Sequence, residues 1–255
     1  MVLIAQISDF HCGASLFSQK KLAKAISEVN SLRPDAVIIS GDLTNNGFKK
    51  EYVMAKKYID KIKPKTFIIP GNHDTRFVGY TFFDEIFGKG NKVMQFPGIG
   101  IVGIDSNIPD LNEGNVGRGK TRWALEQLKQ IPHSYLKMVV LHHHLIPIPG
   151  TGRERSTVSD AGDVLAEFIG AGVDIILSGH KHTPHSWFIN NVAVVNAGSV
   201  SSQKLRANIK NSYNIIDINS THVDIFIKEV GGRRHALAKY KKADSQEFRL
   251  ACKLC

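Results

Sequence analysis

The stretch Thr66-Phe-Ile-Ile-Pro-Gly71-Asn72-His73-Asp74 joins a short apolar run to a dense cluster of polar side chains. The run has the composition of a buried strand, and a turn alone does not require histidine beside asparagine and aspartate. Four further apolar runs end in the same way, in Asp9-Phe-His11, Gly41-Asp42, His142-His143 and Gly179-His180-Lys-His182. This repetition predicts that the polar clusters belong to one site.

Strand and helix patterns alternate along the first 180 residues, as in residues 2–8, 18–32 and 35–40. Such alternation is typical of an α/β fold with a largely parallel sheet. Because the carboxyl ends of parallel strands open onto one crevice, we expect the five clusters to converge there. The strand-rich stretch that follows predicts antiparallel strands, in the same sheet or in a second one.

The residue types in the clusters indicate a metal centre. Asp-x-His or Gly-Asp alone is more often a helix cap or a turn. Imidazole, carboxylate and amide oxygen together suit Mn, Fe, Zn or Ni, whereas Ca and Mg sites rarely use histidine. Five clusters in this order, each after a strand, therefore predict metal ligands rather than turn chemistry.

The composition indicates a globular protein with an acidic partner. The 255 residues include 33 Lys and Arg against 23 Asp and Glu, a formal net charge of +10. No stretch approaches the ~18 apolar residues of a membrane span, and the start lacks the basic region of a secretory signal. Three cysteines make no disulfide framework, which fits a reducing compartment. We therefore expect a cytoplasmic protein, a monomer or homodimer.

Half of the net charge lies in residues 228–255, which hold eight basic and three acidic side chains. The part of this segment that follows Gly231-Gly232 has no clear apolar period. We therefore expect one domain over residues 1–230, followed by a basic tail or loosely docked helix over 231–255. Such a tail would aid solubility, or would bind phosphate or a membrane surface.

The ordered set Asp-x-His, Gly-Asp, Gly-Asn-His-Asp, His and Gly-His-x-His resembles the calcineurin-like metallophosphoesterase superfamily over about residues 1–200. Within it, the form Gly41-Asp42-Leu-Thr and the histidine pair before Pro147 are most similar to bacterial class III cyclic-nucleotide phosphodiesterases. The resemblance implies a four-layer αββα sandwich of two mixed sheets flanked by helices.

The resemblance also implies a pair of metal ions, commonly iron with manganese or zinc. It assigns three ligands to each ion and one bridging carboxylate: Asp9, His11 and His182; Asn72, His142 and His180; and Asp42 between them. His142 is preferred to His143 and His144 because it directly ends the strand. His73 is then no ligand, and would stabilise the transition state or protonate the departing oxygen.

Two features depart from the family pattern. Related phosphatases often carry an aspartate that orients the catalytic histidine where this chain has Asn45, and Asp74 could partly substitute for it. His144-Leu145 stands where the cyclic-nucleotide enzymes usually show prolines. The second departure weakens the subfamily assignment and leaves the superfamily assignment intact.

The predicted activity is hydrolysis of a phosphodiester, most simply of a small cyclic nucleotide, by a hydroxide held between two metal ions. The alternatives are a nuclease, a pyrophosphatase acting on a nucleotide-linked lipid, or a catalytically silent binding module of the same fold. A small phosphorylated substrate explains the basic charge better than nucleic acid does. The weak candidates for phosphate binding are arginines in or beside loops: Arg118, Arg122, Arg153, Arg155 and Arg206.

Overall fold

Two β-sheets lie face to face between two layers of helices. The computed structural model describes residues 1–152, 157–205, 209–242 and 248–250. The strands are β1 Val2–Ile7, β2 Ala36–Ile39, β3 Lys65–Ile68, β4 Lys92–Phe96, β5 Ile99–Ile104, β6 Leu136–Leu141, β7 Ile175–Ser178, β8 His185–Ile189, β9 Val192–Asn196, β10 Ser212–Ile218, β11 His222–Glu229, β12 Arg234–Lys242 and β13 Phe248–Leu250. The helices are α1 Gln19–Leu32, α2 Lys49–Ile59, α3 Gly79–Phe87, α4 Gly117–Gln130 and α5 Ala161–Gly170.

Both sheets are mixed. The first has the strand order β13-β12-β11-β10-β1-β2-β3, and the second has the order β4-β5-β6-β7-β9-β8. β1, β2 and β3 run parallel, with Gln6 opposite Ile38 and Ile38 opposite Phe67. β5, β6, β7 and β9 are also parallel, whereas β4 and β8 are antiparallel edge strands.

Side chains that alternate along each strand build three cores. Ile38 points between the sheets with Ile101 and Val140, all fully buried. The neighbouring positions of the first sheet pack on residues of α1, α2 and α3, and the outer face of the second sheet packs on α4 and α5. The predicted four-layer αββα sandwich is confirmed. α3 was not foreseen from the sequence.

The fold gathers the polar clusters at one end of both sheets. The loops that follow β1, β2, β3, β6 and β7 carry them, and these five strands are the parallel ones that the sequence pattern indicated. No helix within the described ranges is long and apolar enough to cross a bilayer.

The described part of the predicted tail or loosely docked helix contains strands, whereas residues 243–247 and 251–255 lie outside the described residues. Arg234–Lys242 forms β12, which pairs antiparallel with β11 from Lys228–Arg234 to His222–Lys241. Tyr240 is 1% exposed, stacks on Phe188 of the other sheet at 5.1 Å and forms a hydrogen bond with the Ser186 hydroxyl. The open edge of β11 supplies backbone partners for a segment whose own side chains show little strand pattern. The first sheet therefore continues past residue 230.

Removal of the Tyr240 side chain tests this anchoring. Tyr240→Ala leaves a cavity between the sheets, so we expect the free energy of unfolding to fall by about 3 kcal/mol or more in urea titrations. Lys239→Ala is the matched control, because Lys239 is exposed and pairs with Asp224 at the surface, an interaction worth about 1 kcal/mol or less. Equal stability of the two variants would contradict a structural role for β12.

Candidate metal centre

The loops after β1 and β2 run side by side and place the first ligand candidates. The Asp9 amide donates to the Gly41 carbonyl at 3.0 Å, and the His11 amide donates to the Asp42 carbonyl at 2.9 Å. These bonds continue the pairing of the two parallel strands into their loops. Asp9, His11 and Asp42 therefore reach the site on a backbone that is fixed by its neighbour.

Five of the seven predicted ligands hold the backbone in the left-handed region, with φ between 53° and 71°. That region is uncommon for residues other than glycine and costs conformational energy. The residues are Asp9, His11, Asp42, His180 and His182. Such strain persists where the surrounding structure imposes it, and here it turns the side chains toward a common centre.

Gly71 and Gly179 allow close packing rather than an unusual φ. A Cβ on Gly71 would collide with the Asp42 carboxylate, and a Cβ on Gly179 would collide with Ser8 and Asp9. Only glycine lets these loops approach the buried acids so closely. The sequence predicts sharp turns at Gly41, Gly71 and Gly179. Of these three glycines, Gly41 has the positive φ of such a turn, at 97°.

Asp9, His11 and His182 form the first ligand group. The Nε2 atoms of His11 and His182 are 2.9 Å apart, and His182 Nε2 is 3.4 Å from Asp9 Oδ1. The three side chains offer ligand atoms that lie within 4.8 Å of one another. This is the set that the family resemblance assigned to one ion.

Asn72, His142 and His180 form the second group. Asn72 Oδ1 lies 3.2 Å from His142 Nε2 and 3.0 Å from His180 Nδ1. The Asn72 amide nitrogen donates to Asn112 Oδ1 at 3.2 Å, which keeps Oδ1 turned toward the two imidazoles. The residues assigned to the second ion are therefore also adjacent.

The Asp42 carboxylate lies between the two groups and is 1% exposed. Its Oδ1 is 3.3 Å from His142 Nε2, and its Oδ2 is 3.6 Å from His11 Nε2. Oδ1 also accepts a hydrogen bond from the His73 amide at 2.9 Å. One carboxylate thus presents a different oxygen to each group, which is the arrangement a bridging ligand needs.

Backbone carbonyls orient two of the imidazoles. His142 Nδ1 donates to the Ser40 carbonyl at 2.7 Å, and His182 Nδ1 donates to the Lys204 carbonyl at 2.9 Å. A carbonyl only accepts, so the proton is on Nδ1 and Nε2 is directed into the site. This is the usual way in which proteins fix a histidine that binds a metal.

The shifted pKa values of the buried Asp42, His142 and His11 favour binding of a metal cation. Burial raises the pKa of the Asp42 carboxyl, but the positive charge and hydrogen bond of His142 outweigh burial and hold that pKa well below its usual range. Burial lowers the pKa of His142, but the charge and hydrogen bond of Asp42 outweigh it and raise that pKa to about 9. Burial lowers the pKa of His11 to about 3. A metal ion would replace the His142 proton and find a neutral His11 and an ionised Asp42.

The donor set fits a metal pair. Asp9 Oδ2 is buried and has no hydrogen-bond partner among the described residues, although a buried carboxylate oxygen ordinarily has one. Two imidazole nitrogens face each other at 2.9 Å, and further ligand atoms of both groups converge on Asp42. Mixed nitrogen and oxygen ligands of this kind could hold Fe, Mn or Zn.

His73 is half-buried and, with His11 and Asp42, forms a third set of side chains whose possible ligand atoms lie within 4.8 Å of one another. Its Nδ1 donates to the Asn45 backbone carbonyl at 2.6 Å, and its Nε2 accepts from Arg76 Nη2 at 3.2 Å. The orienting group is therefore the main chain of Asn45 rather than its side chain. Asp74 does not substitute, because its carboxylate accepts from the amides of Leu43 and Thr44.

His143 and His144 are both buried beside the site. His143 Nδ1 is 2.9 Å from the Ser106 hydroxyl, and its Nε2 donates to the Asn112 carbonyl at 3.2 Å. The His144 ring stacks on His180 with centroids 5.9 Å apart. The ring nitrogens of His143 are thus engaged by Ser106 and Asn112, and His144 packs on a ligand candidate. Both observations agree with the choice of His142 as the ligand of this run.

Two of the five predicted arginines are described, and both lie away from the pocket. Arg118 and Arg122 are exposed on α4 and do not line the pocket, whereas Arg153, Arg155 and Arg206 lie outside the described residues. Sequence reasoning missed Arg76 and Asn112. The one signal for Arg76 was its place three residues after His73, on the turn that carries the cluster.

A pocket of about 770 Å³ opens over the metal groups. Its floor includes Asp42, Asn72 and His180, and its wall includes His73 and Arg76. The volume is that of a site for a small molecule rather than for a macromolecular surface. A phosphoester that entered would meet both ligand groups and His73 at once.

The chain belongs to the calcineurin-like phosphoesterase family, which matches residues 2–184. The family predicted from the five clusters is confirmed, and with it a phosphoester hydrolase. A probable glycerophosphodiester phosphodiesterase GpdQ of Arcobacter nitrofigilis is 26% identical over 254 residues, 92% of each chain. A 3',5'-cyclic-nucleotide phosphodiesterase of Nostoc sp. is 24% identical over 195 residues, 71% of each chain.

Solved structures share the fold at low sequence identity. A dimetal phosphatase from Danio rerio has a TM-score of 0.71 at 10% identity, over 92% of this chain and 98% of that one. A purple acid phosphatase from yellow lupin has a TM-score of 0.72 at 11% identity, over 92% of this chain and 52% of that one. This likeness extends to the fold alone.

Metal analysis tests the shared role of Asp42. Protein purified without chelator should carry about two transition-metal ions per chain by inductively coupled plasma mass spectrometry. Asp42→Asn removes the charge common to both groups, so we expect its content to fall below about one ion. Asp60→Asn is the control, because Asp60 is exposed and pairs with Lys56. Wild-type metal content in Asp42→Asn would exclude Asp42 as the bridge.

Proposed function

We propose that the chain is a dinuclear metal-dependent phosphodiesterase that acts on a small nucleotide-type diester. The observation that carries this proposal is the position of the Asp42 carboxylate between two ligand groups, directly beside His73. Relatives described as phosphodiesterases support the diester, and the pocket of about 770 Å³ supports a small substrate.

Seven side chains would hold the metals: Asp9, His11 and His182 for one ion, Asn72, His142 and His180 for the other, and Asp42 for both. Bound there, iron with manganese or zinc would activate water and neutralise charge on the phosphate oxygens. Burial of Asp9 and Asp42 excludes bulk water from the acids, which strengthens their attraction for cations.

His73 would act as the general acid that protonates the departing oxygen. With Nδ1 fixed on the Asn45 carbonyl, Nε2 is the nitrogen that faces the pocket. Burial lowers the pKa of His73, against the attraction of Asp42. The resting ring is therefore neutral, and Nε2 would take up a proton from water before passing it to an alkoxide leaving group, toward which a lower pKa makes it a stronger acid.

Glycerophosphodiester hydrolysis is the second candidate. It is favoured by the GpdQ relative, whose similarity extends over 92% of this chain, against 71% for the Nostoc enzyme. Both candidates need the same chemistry at phosphorus and differ in the alcohols that the pocket accepts. Against a catalytically silent module, none of the seven ligand positions is replaced by a residue unable to bind a metal.

A substrate panel separates these candidates. Metal-reconstituted protein would be given cyclic AMP, glycerophosphocholine, bis(p-nitrophenyl) phosphate, p-nitrophenyl phosphate and single-stranded DNA. We expect the highest kcat/KM on a cyclic nucleotide and activity on the aryl diester, because both are small diesters. Preference for glycerophosphocholine would select the second candidate, and preference for DNA would select a nuclease. Metal-loaded protein inactive on all five would end the enzymatic proposal.

Replacement of His73 tests its proposed role. His73→Ala should bind the metals as wild type does and lose about 10²- to 10⁴-fold in kcat, the range of a positioned acid or base. The loss should be smaller on the aryl diester, because nitrophenolate leaves without help. His133→Ala is the control, since His133 is exposed on the loop before β6. Unchanged kcat on an alkyl diester would remove His73 from catalysis.

A further inference from the structure

Arg76 projects into the pocket from the turn that follows His73, and it is half-buried. Its Nη1 donates to the Asn45 carbonyl at 3.2 Å, and its Nη2 donates to Asn112 Oδ1 at 3.1 Å. Nη2 also lies 3.2 Å from His73 Nε2. The guanidinium is thus held at a fixed place on the wall, next to the nitrogen proposed to serve the leaving oxygen.

The hydrogen-bond partners of this cation are carbonyl and amide oxygens and an imidazole. Among the described residues Arg76 makes no ion pair with a carboxylate, unlike the surface lysines that pair with acids. Its positive charge therefore has no carboxylate partner within the described part of the chain. A planar, permanently charged donor in this setting matches the oxygens of a phosphate better than those of a neutral ligand.

We propose that Arg76 binds a non-bridging oxygen of the substrate phosphate and of the product phosphomonoester, for which inorganic phosphate serves as the probe. This inference rests on the proposed phosphodiesterase function and adds to it the residue that anchors the anion. Arg76 Nη2 and His73 Nε2 are 3.2 Å apart, so two oxygens of one phosphate reach both residues.

The same geometry implies a small movement of Arg76. With Nδ1 protonated, neutral His73 accepts the Arg76 N–H on Nε2, which occupies the position that a leaving oxygen must approach. A phosphate oxygen that takes over this N–H frees Nε2 to take up a proton from water, and that proton can then pass to the leaving oxygen. Asn112 and the Asn45 carbonyl hold the guanidinium nearby during the exchange.

The test uses the metal-loaded full chain and three variants. Arg76→Gln keeps hydrogen-bonding capacity without charge, Arg76→Lys keeps the charge without the planar fork, and Arg234→Gln removes an arginine charge from β12, where it stacks on Phe226. The Kd of inorganic phosphate is measured by calorimetry, KM and kcat are measured on bis(p-nitrophenyl) phosphate, and metal content is measured for each protein.

We expect Arg76→Gln to raise the phosphate Kd and KM about 10- to 100-fold at unchanged metal content, the effect of losing a charge-assisted hydrogen bond. Arg76→Lys should fall between it and wild type, and Arg234→Gln should match wild type. An unchanged phosphate Kd in Arg76→Gln would overturn the proposal. A drop in kcat alone would also overturn it, because Arg76 would then act through His73.

The remaining outcomes are equally decisive. If Arg76→Gln loses metal or folding, Arg76→Lys decides: a raised phosphate Kd at wild-type metal content supports Arg76 as the binding element, and a wild-type Kd would overturn its assignment. Loss of metal in both variants would give Arg76 a structural role and overturn its assignment to phosphate. If wild type binds phosphate through Arg76 and hydrolyses no diester, the phosphodiesterase proposal fails while the anion site stands.

Discussion

The buried Asp42 carboxylate is the interaction on which the rest of the site depends. It faces His142 at 3.3 Å and His11 at 3.6 Å, and it fixes the His73 main chain through the 2.9 Å bond to its amide. A buried charge is costly unless it is paired and hydrogen-bonded. Asp42 therefore requires the loops after β1, β3 and β6 to close around it, and the same closure brings the ligand groups together.

Packing of the two sheets and their helices stabilises this closed arrangement of loops. The parallel strands β1 to β3 and β5 to β7 pack against each other in the core between the sheets, and their outer faces pack on the helices. Their carboxyl ends are thus rigid, and the loops there can hold Asp9, His11 and His180 in the left-handed region. Strain of this kind needs a scaffold that over-determines the backbone, which is what the end of a parallel sheet provides.

The sequence was sufficient for features encoded locally. Each ligand cluster directly follows an apolar run, so the order of clusters predicted the sheet, its open end and the adjacency of the ligands. Features that depend on contacts between distant segments were missed. β12 forms because β11 offers an edge, and its residues lack the β-branched pattern that signals a strand. The family pattern predicts that a side chain at position 45 orients His73. In the structure the backbone carbonyl of Asn45 orients the ring instead.

The distribution of charge links the fold to the substrate. Among the charged side chains that line the pocket, Arg76, Lys181 and Lys204 are basic and Asp42 is acidic. Two metal ions would add more positive charge than Asp9 and Asp42 remove. Part of the basic C-terminal segment lies in β12, between β11 and β13 of the first sheet, and its residues from 234 to 241 do not line this pocket. Basic side chains therefore lie where a phosphate would bind, and like charges gathered in a cleft raise the local concentration of an anionic ligand.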